Sequence, residues 1–99
     1  MVIPTPFKIN DTVELIGRNA FYDCSLEDED IILPKNLKKI EDRAFQSNII
    51  RSIELPATIE ELSRTAFDDG VDVYISKSCK DDVLENFGAS RPKYNIIWE

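Results

Sequence analysis

Histidine is absent from this chain, glycine occurs only three times, and the two cysteines stand 55 residues apart with no CxxC pairing. The first absence removes the commonest general base near neutral pH, the Ser-His and Cys-His nucleophile pairs, and most zinc sites. No GxGxxG or GxxxxGK(S/T) run is present, so the loops that cradle phosphates are missing too. Cys24 and Cys79 read as reduced, separately buried thiols, which suits a cytosolic protein better than a disulfide framework. No apolar stretch nears the ~20 residues that span a bilayer. The opening Met-Val-Ile-Pro-Thr-Pro has neither the basic region nor the apolar run of a secretion signal, so the expected location is cytoplasmic, with no membrane partner. Basic residues are also scarce, with 12 Lys and Arg against 19 Asp and Glu for a net charge of −7. That balance argues against direct nucleic-acid binding, which gathers Lys and Arg on one face, and favours solubility or a basic protein partner.

What the chain does have is a repeat. Ile31-Ile32-Leu33-Pro34, Leu37, Ile40 and Ala44-Phe45 return 22 residues later as Ile53-Glu54-Leu55-Pro56, Ile59, Leu62 and Ala66-Phe67. A weaker copy lies 24 residues earlier, in Phe7, Ile9, Val13, Ile16 and Ala20-Phe21. With 42% hydrophobic residues in a length of 99, the chain suits one domain with a modest core. Its expected division is a lead-in over 1–6, repeats over 7–30, 31–52 and 53–72, and a C-terminal segment over 73–99.

Each repeat opens on apolar alternation, as in Phe7-Lys8-Ile9 and Ile31-Ile32-Leu33, which predicts a short strand with one face buried. Pro34 and Pro56 close two of these strands, where no ladder donor is required. The 3- and 4-residue spacings of Val13, Ile16 and Ala20, and of Leu37, Ile40 and Ala44, predict one stripe of a short helical or 3₁₀ segment. Val73-Tyr74-Ile75 predicts a fourth strand. Ser78 and Asp81 resemble a capping pair before a helix with Val83, Leu84 and Phe87 on its apolar face, ended by Gly88. Tyr94–Trp98 reads as a last strand.

A strand of three or four residues followed by one turn cannot bury its apolar face alone, so successive units must cover each other. Stacking places Phe7, Ile31, Ile53 and Val73 in one ladder, and Phe21, Phe45 and Phe67 in an aromatic one, at the ~4.8 Å spacing of parallel strands. The fold class expected is an α/β solenoid of the leucine-rich type.

The combination of IxLP, an apolar residue three positions after the Pro, an Ile or Leu three further on and then xxxAF resembles the BspA-like family of leucine-rich repeats. Ala20-Phe21-Tyr22-Asp23-Cys24 also matches that family's AFxxC ending, while Ser47-Asn48 and Asp69-Gly70 depart from it. The resemblance covers residues 7 to 98. It implies a right-handed solenoid with short parallel strands on one face, helical or 3₁₀ turns on the other, and a strand-helix-strand tail that seals the core. It also implies a scaffold for protein contact.

Catalysis finds little support. Asp68-Asp69 and Asp81-Asp82 are carboxylate pairs, but adjacent residues do not converge on one point, and acids beside turns and helix starts have a local electrostatic role. The expectation is therefore a non-enzymatic protein-interaction module without cofactor or metal. Its binding row is Lys8, Ile32, Glu54 and Tyr74, the residues between the inward positions of the strands, where Ile32 and Tyr74 can anchor a partner's apolar group. The run Glu27-Asp28-Glu29-Asp30 must bulge into solvent and offers a second contact for a basic partner. Residues 1–30 carry seven acids and two bases, which supports a rival reading: an acidic inhibitor that imitates nucleic acid and blocks a basic groove. The first strand's edge, weakly covered by residues 1–6, is a place for a second copy to pair as a homodimer.

Overall fold

β-branched residues favour extended backbone, and the Ile-rich starts of the repeats become strands in the computed structural model, which describes residues 7–28 and 30–99. In chain order the strands are β1 (Phe7–Lys8), β2 (Leu15–Ile16), β3 (Ile31–Ile32), β4 (Lys39–Ile40), β5 (Ser52–Glu54), β6 (Glu61–Leu62), β7 (Asp72–Ile75) and β8 (Asn95–Trp98). Between β7 and β8 come a 3₁₀ turn, Lys77–Cys79, and one helix, α1 (Lys80–Phe87). Among the described residues every strand pairing is parallel, and none of the sheets closes into a barrel. β1 pairs with β3, β4 lies between β2 and β6, and β7 lies between β5 and β8. The registers join equivalent repeat positions: Phe7 to Ile31, Ile16 to Ile40 to Leu62, and Ile53 to Val73.

The helical stripe expected around Ile16 and Ile40 is corrected. Those residues lie in β2 and β4, and the spacing of 3 and 4 comes from corners. Turn bonds run from Val13 N–H to the Asn10 carbonyl (3.0 Å), from Ala20 N–H to Gly17 (3.1 Å) and from Ala44 N–H to Glu41 (3.3 Å). Such turns do not propagate into helix here, because Asn19 and Arg43 stand at φ +60° and +57°, in the left-handed region. The next amides reach sideways instead: Phe21 N–H donates to the Ala44 carbonyl and Phe45 N–H to Ala66, both at 2.8 Å. A chain that turns a corner every few residues places one residue inward per side, which mimics helical periodicity.

Leu37, Ile40, Ala44, Phe45, Ile59, Leu62 and Ala66 form the buried centre. The rings of Phe21, Phe45 and Phe67 stack at 5.4 and 5.3 Å, and Tyr94 closes the column edge-on at 5.5 Å. In the first unit Ala20 is exposed and Phe21 only half-buried. Ala20 therefore leaves the inward stripe. Leu26, within the loop before the acidic run, is 1% exposed and belongs to the core although nothing in the repeat pattern marks it.

At the other end, Val83 and Phe87 of α1 are buried, and Asn86 Oδ1 accepts the Leu62 N–H at 2.9 Å, so a side chain satisfies the outer edge of β6. The capping pair is also corrected. Ser76, not Ser78, caps the start of this segment, accepting from Ser78 N–H at 3.3 Å, while Asp81 and Asp82 sit in the helix's first turn. Gly88, at φ +66°, ends the helix with its N–H directed to Leu84 and Glu85 carbonyls. Cys24 and Cys79 are both free and buried. Among the described residues no helix is long and apolar enough to cross a membrane.

Candidate interaction surface

Strand alternation decides which residues face outward. In β3 Ile31 is buried and Ile32 is 48% exposed; in β5 Ile53 is buried and Glu54 exposed; in β7 Val73 and Ile75 are buried and Tyr74 is half-buried. Lys8 stands opposite Ile32, and Glu54 opposite Tyr74. The proposed row thus comes together in two halves. β8 adds a residue that the sequence reading missed, because Ile97 pairs with Tyr74 on its far side and accounts for part of Tyr74's burial. The alternation around Ile97 is visible in sequence, but its register against β7 is not.

Lys8 is partly committed, since its Nζ pairs with Asp11 Oδ2 at 3.4 Å. Asp11 in turn accepts the Lys35 backbone N–H, which holds its carboxyl below the ordinary value, with the Lys8 charge assisting. The acidic run has a similar structural use. Glu27 and Asp28 are exposed and Asp30 half-buried, while Glu29 lies outside the described residues. Asp30 Oδ2 accepts the Glu27 N–H at 2.7 Å, and the Asp28 carboxylate accepts from the backbone of Arg51 and Ser52. Two of these acids therefore serve their own chain's amides, and the loop does not present four free carboxylates to a basic groove.

A second outward row also escaped the sequence reading, on β2, β4 and β6, where Leu15 is 48% exposed beside Lys39 and Glu61. Its charges compensate each other, Lys39 Nζ lying 3.7 Å from Glu41 and 3.5 Å from Glu61. On the core side, burial pushes the Tyr94 phenol well above its ordinary value, and its O–H donates to the Ser63 carbonyl at 2.7 Å. Among the described residues no group of three His, Cys, Asp or Glu side chains converges as a metal site. What the two rows offer is an exposed aliphatic on each, Ile32 and Leu15, with a partly covered phenol at Tyr74 and mixed charge.

A family model for the BspA type leucine rich repeat region (6 copies) matches residues 4–81. No curated protein and no solved structure matches the chain. Residues 4–81 are more than half the length, and they hold the parallel-paired units described above, so the chain belongs to the BspA-type leucine-rich repeat family, a solenoid-like repeat class that generally mediates protein–protein contact.

Proposed function

We propose that this protein is a non-enzymatic interaction module that binds a basic protein partner on its strand face, through Lys8, Ile32, Glu54 and Tyr74. The observation that carries this reading is Ile32, a branched aliphatic left 48% exposed on β3, with Tyr74 paired to Ile97 in the neighbouring half of the row. An exposed apolar group flanked by charge is the arrangement that anchors a partner side chain. In this reading the repeats 7–30, 31–52 and 53–72 wind as a right-handed solenoid, and residues 73–99 act as its cap. The outer edge of β1, unpaired among the described residues, is the place where a second copy adds.

The test is affinity capture with the wild type and with Ile32→Asp and Tyr74→Ala, each first shown to melt within a few degrees of the wild type. Partners that the wild type retains and both variants lose support the face. An unchanged partner set sinks it. Light scattering across a concentration series reports the dimer separately, and a constant monomer mass refutes that part alone.

A further inference from the structure

The strand row is interrupted at one place. Between β1 and β3 the Ile9 N–H donates to the Ile32 carbonyl at 3.0 Å, and between β5 and β7 the Leu55 N–H donates to the Tyr74 carbonyl at 2.9 Å. The same pattern assigns a bond from Leu33 N–H to the Glu54 carbonyl. Among the described residues no such bond exists, and β3 and β5 belong to different sheets. The two neighbouring units are nonetheless joined elsewhere, by Phe21 N–H to Ala44 and by Ile49 N–H to Leu26. They meet along the aromatic column and part on the strand face.

A side chain stands in the gap. Ser52 N–H and Oγ each reach the Asp28 carboxylate at 3.4 Å, and Arg51 N–H reaches it too. Where the other units join backbone to backbone, here a carboxylate of the first unit takes the amides at the start of β5, and β3 and β5 are not paired. The result is an open groove of about 560 Å³ with Ile31 and Leu33 on one wall, Ile53 and Leu55 on the other, and Tyr74 at the side. Asp28 and Glu54 line it, and no basic residue does.

We propose that this groove takes an extended segment of a partner protein bearing lysine or arginine, which adds its backbone to the edges of β3 and β5 that face the gap. The inference deepens the strand-face reading and rests on it. Two facing strand edges on which the Leu33 N–H and the Glu54 carbonyl are not bonded to each other, while Asp28 takes the Ser52 N–H, are a template for another strand. At ~3.3 Å per residue the edges accommodate about three residues of the segment. Its cationic side chains meet Asp28 and Glu54, and an apolar residue between them meets Ile32 and Tyr74.

Isotope-labelled full-length protein, titrated with a blocked heptapeptide of alternating Lys and Val, tests this by nuclear magnetic resonance. A Glu/Val counterpart and a Lys/Val peptide N-methylated at alternate residues serve as comparisons. Expected are saturable shifts with the Lys/Val peptide and amide exchange slowed about tenfold at Leu33 and Glu54. The N-methylated and acidic peptides lose this protection, and Glu54→Lys, whose spectrum shows it folded, raises the Kd by up to about fivefold. Shifts at Ile32 and Tyr74 without protection of Leu33 and Glu54, or full tolerance of N-methylation, overturn the groove and leave the face reading standing. No saturable shift at millimolar peptide also overturns the groove, while the capture experiment decides the face on its own.

Discussion

The Phe45 ring lies on the Phe67 ring with centroids 5.3 Å apart and planes 5° from parallel, and the same Phe45 meets Phe21 at 5.4 Å on its other side. Phe45 is 1% exposed, whereas Phe21, in the outermost unit, is half-buried. Truncating a fully enclosed Phe costs about 3–5 kcal/mol, because lost transfer energy and an unfilled cavity add. Phe45→Ala is therefore expected to lose a large share of the stability of a domain that has ~5–15 kcal/mol in all. Phe21→Ala should lose about half as much. Urea unfolding of the two variants measures this, and equal costs would mean that the column is not graded from its centre outward.

Asn48 ties the loops of two units together. Its Oδ1 accepts from Cys24 N–H at 3.1 Å and Leu26 N–H at 2.9 Å, while its Nδ2 donates to the carbonyls of Phe21 at 2.8 Å and Phe45 at 2.9 Å. Asn48→Ala strands both sets and is expected to cost at least about 2 kcal/mol. Asn48→Asp keeps the size and the acceptor half but turns an oxygen toward two carbonyls, so it should also destabilise, by about 1–3 kcal/mol. Thermal melts of both variants separate hydrogen bonding from volume: a wild-type midpoint for Asn48→Asp would refute the donor role.

Arg43 holds φ +57°, a conformation that an ordinary side chain pays for and that Asn adopts more readily. Asn19 already stands at the equivalent place one unit earlier, at φ +60°. Arg43→Asn should raise stability by about 0.5–1 kcal/mol, or the midpoint by about 4 °C. The matching residue of the third unit, Thr65, is not at positive φ. Thr65→Asn should gain nothing, and a gain there equal to that at Arg43 would argue against backbone strain as the cause.

How much of this was legible depends on what each feature rests on. Phe21, Phe45 and Phe67 announced their column because stacking requires the same residue type at the same place in every unit. The second strand row was hidden, since Ile16, Ile40 and Leu62 sit in two-residue strands between corners, and one inward residue per corner has the period of a helix. Arg43 carries no signal of the left-handed turn that forbids that helix. Leu26 was missed because the two extra residues of the first unit fall between it and Ile31, which puts it out of step with Ile50, its buried counterpart. At the gap between β3 and β5 one carboxylate bonds to amides 23 and 24 residues away. No local pattern around Asp28 encodes such a partner, so the candidate row read as continuous when it is divided.

Tyr94 links the C-terminal segment to the third unit and should give the protein an alkaline limit. It is 3% exposed, its O–H donates to the Ser63 carbonyl, and burial raises its pKa above the ordinary 10.0. In the unfolded chain the phenol ionises near pH 10, while in the folded one it keeps its proton, so above that pH the unfolded state binds fewer protons and stability falls. Below pH 10 the contribution is fully present. Tyr94→Phe removes the ionisation together with the hydrogen bond, which costs about 1 kcal/mol near neutrality and leaves the Ser63 carbonyl without its donor. The wild type should then lose its advantage steadily between pH 10 and 11.5, about 1.4 kcal/mol per unit once the free phenol is ionised. Lysines titrate in the same range in both proteins, so the difference between their urea midpoints isolates Tyr94. A difference that stays constant from pH 8 to 11.5 would show that the buried phenol ionises in place, and that water reaches the join between the tail and the repeats.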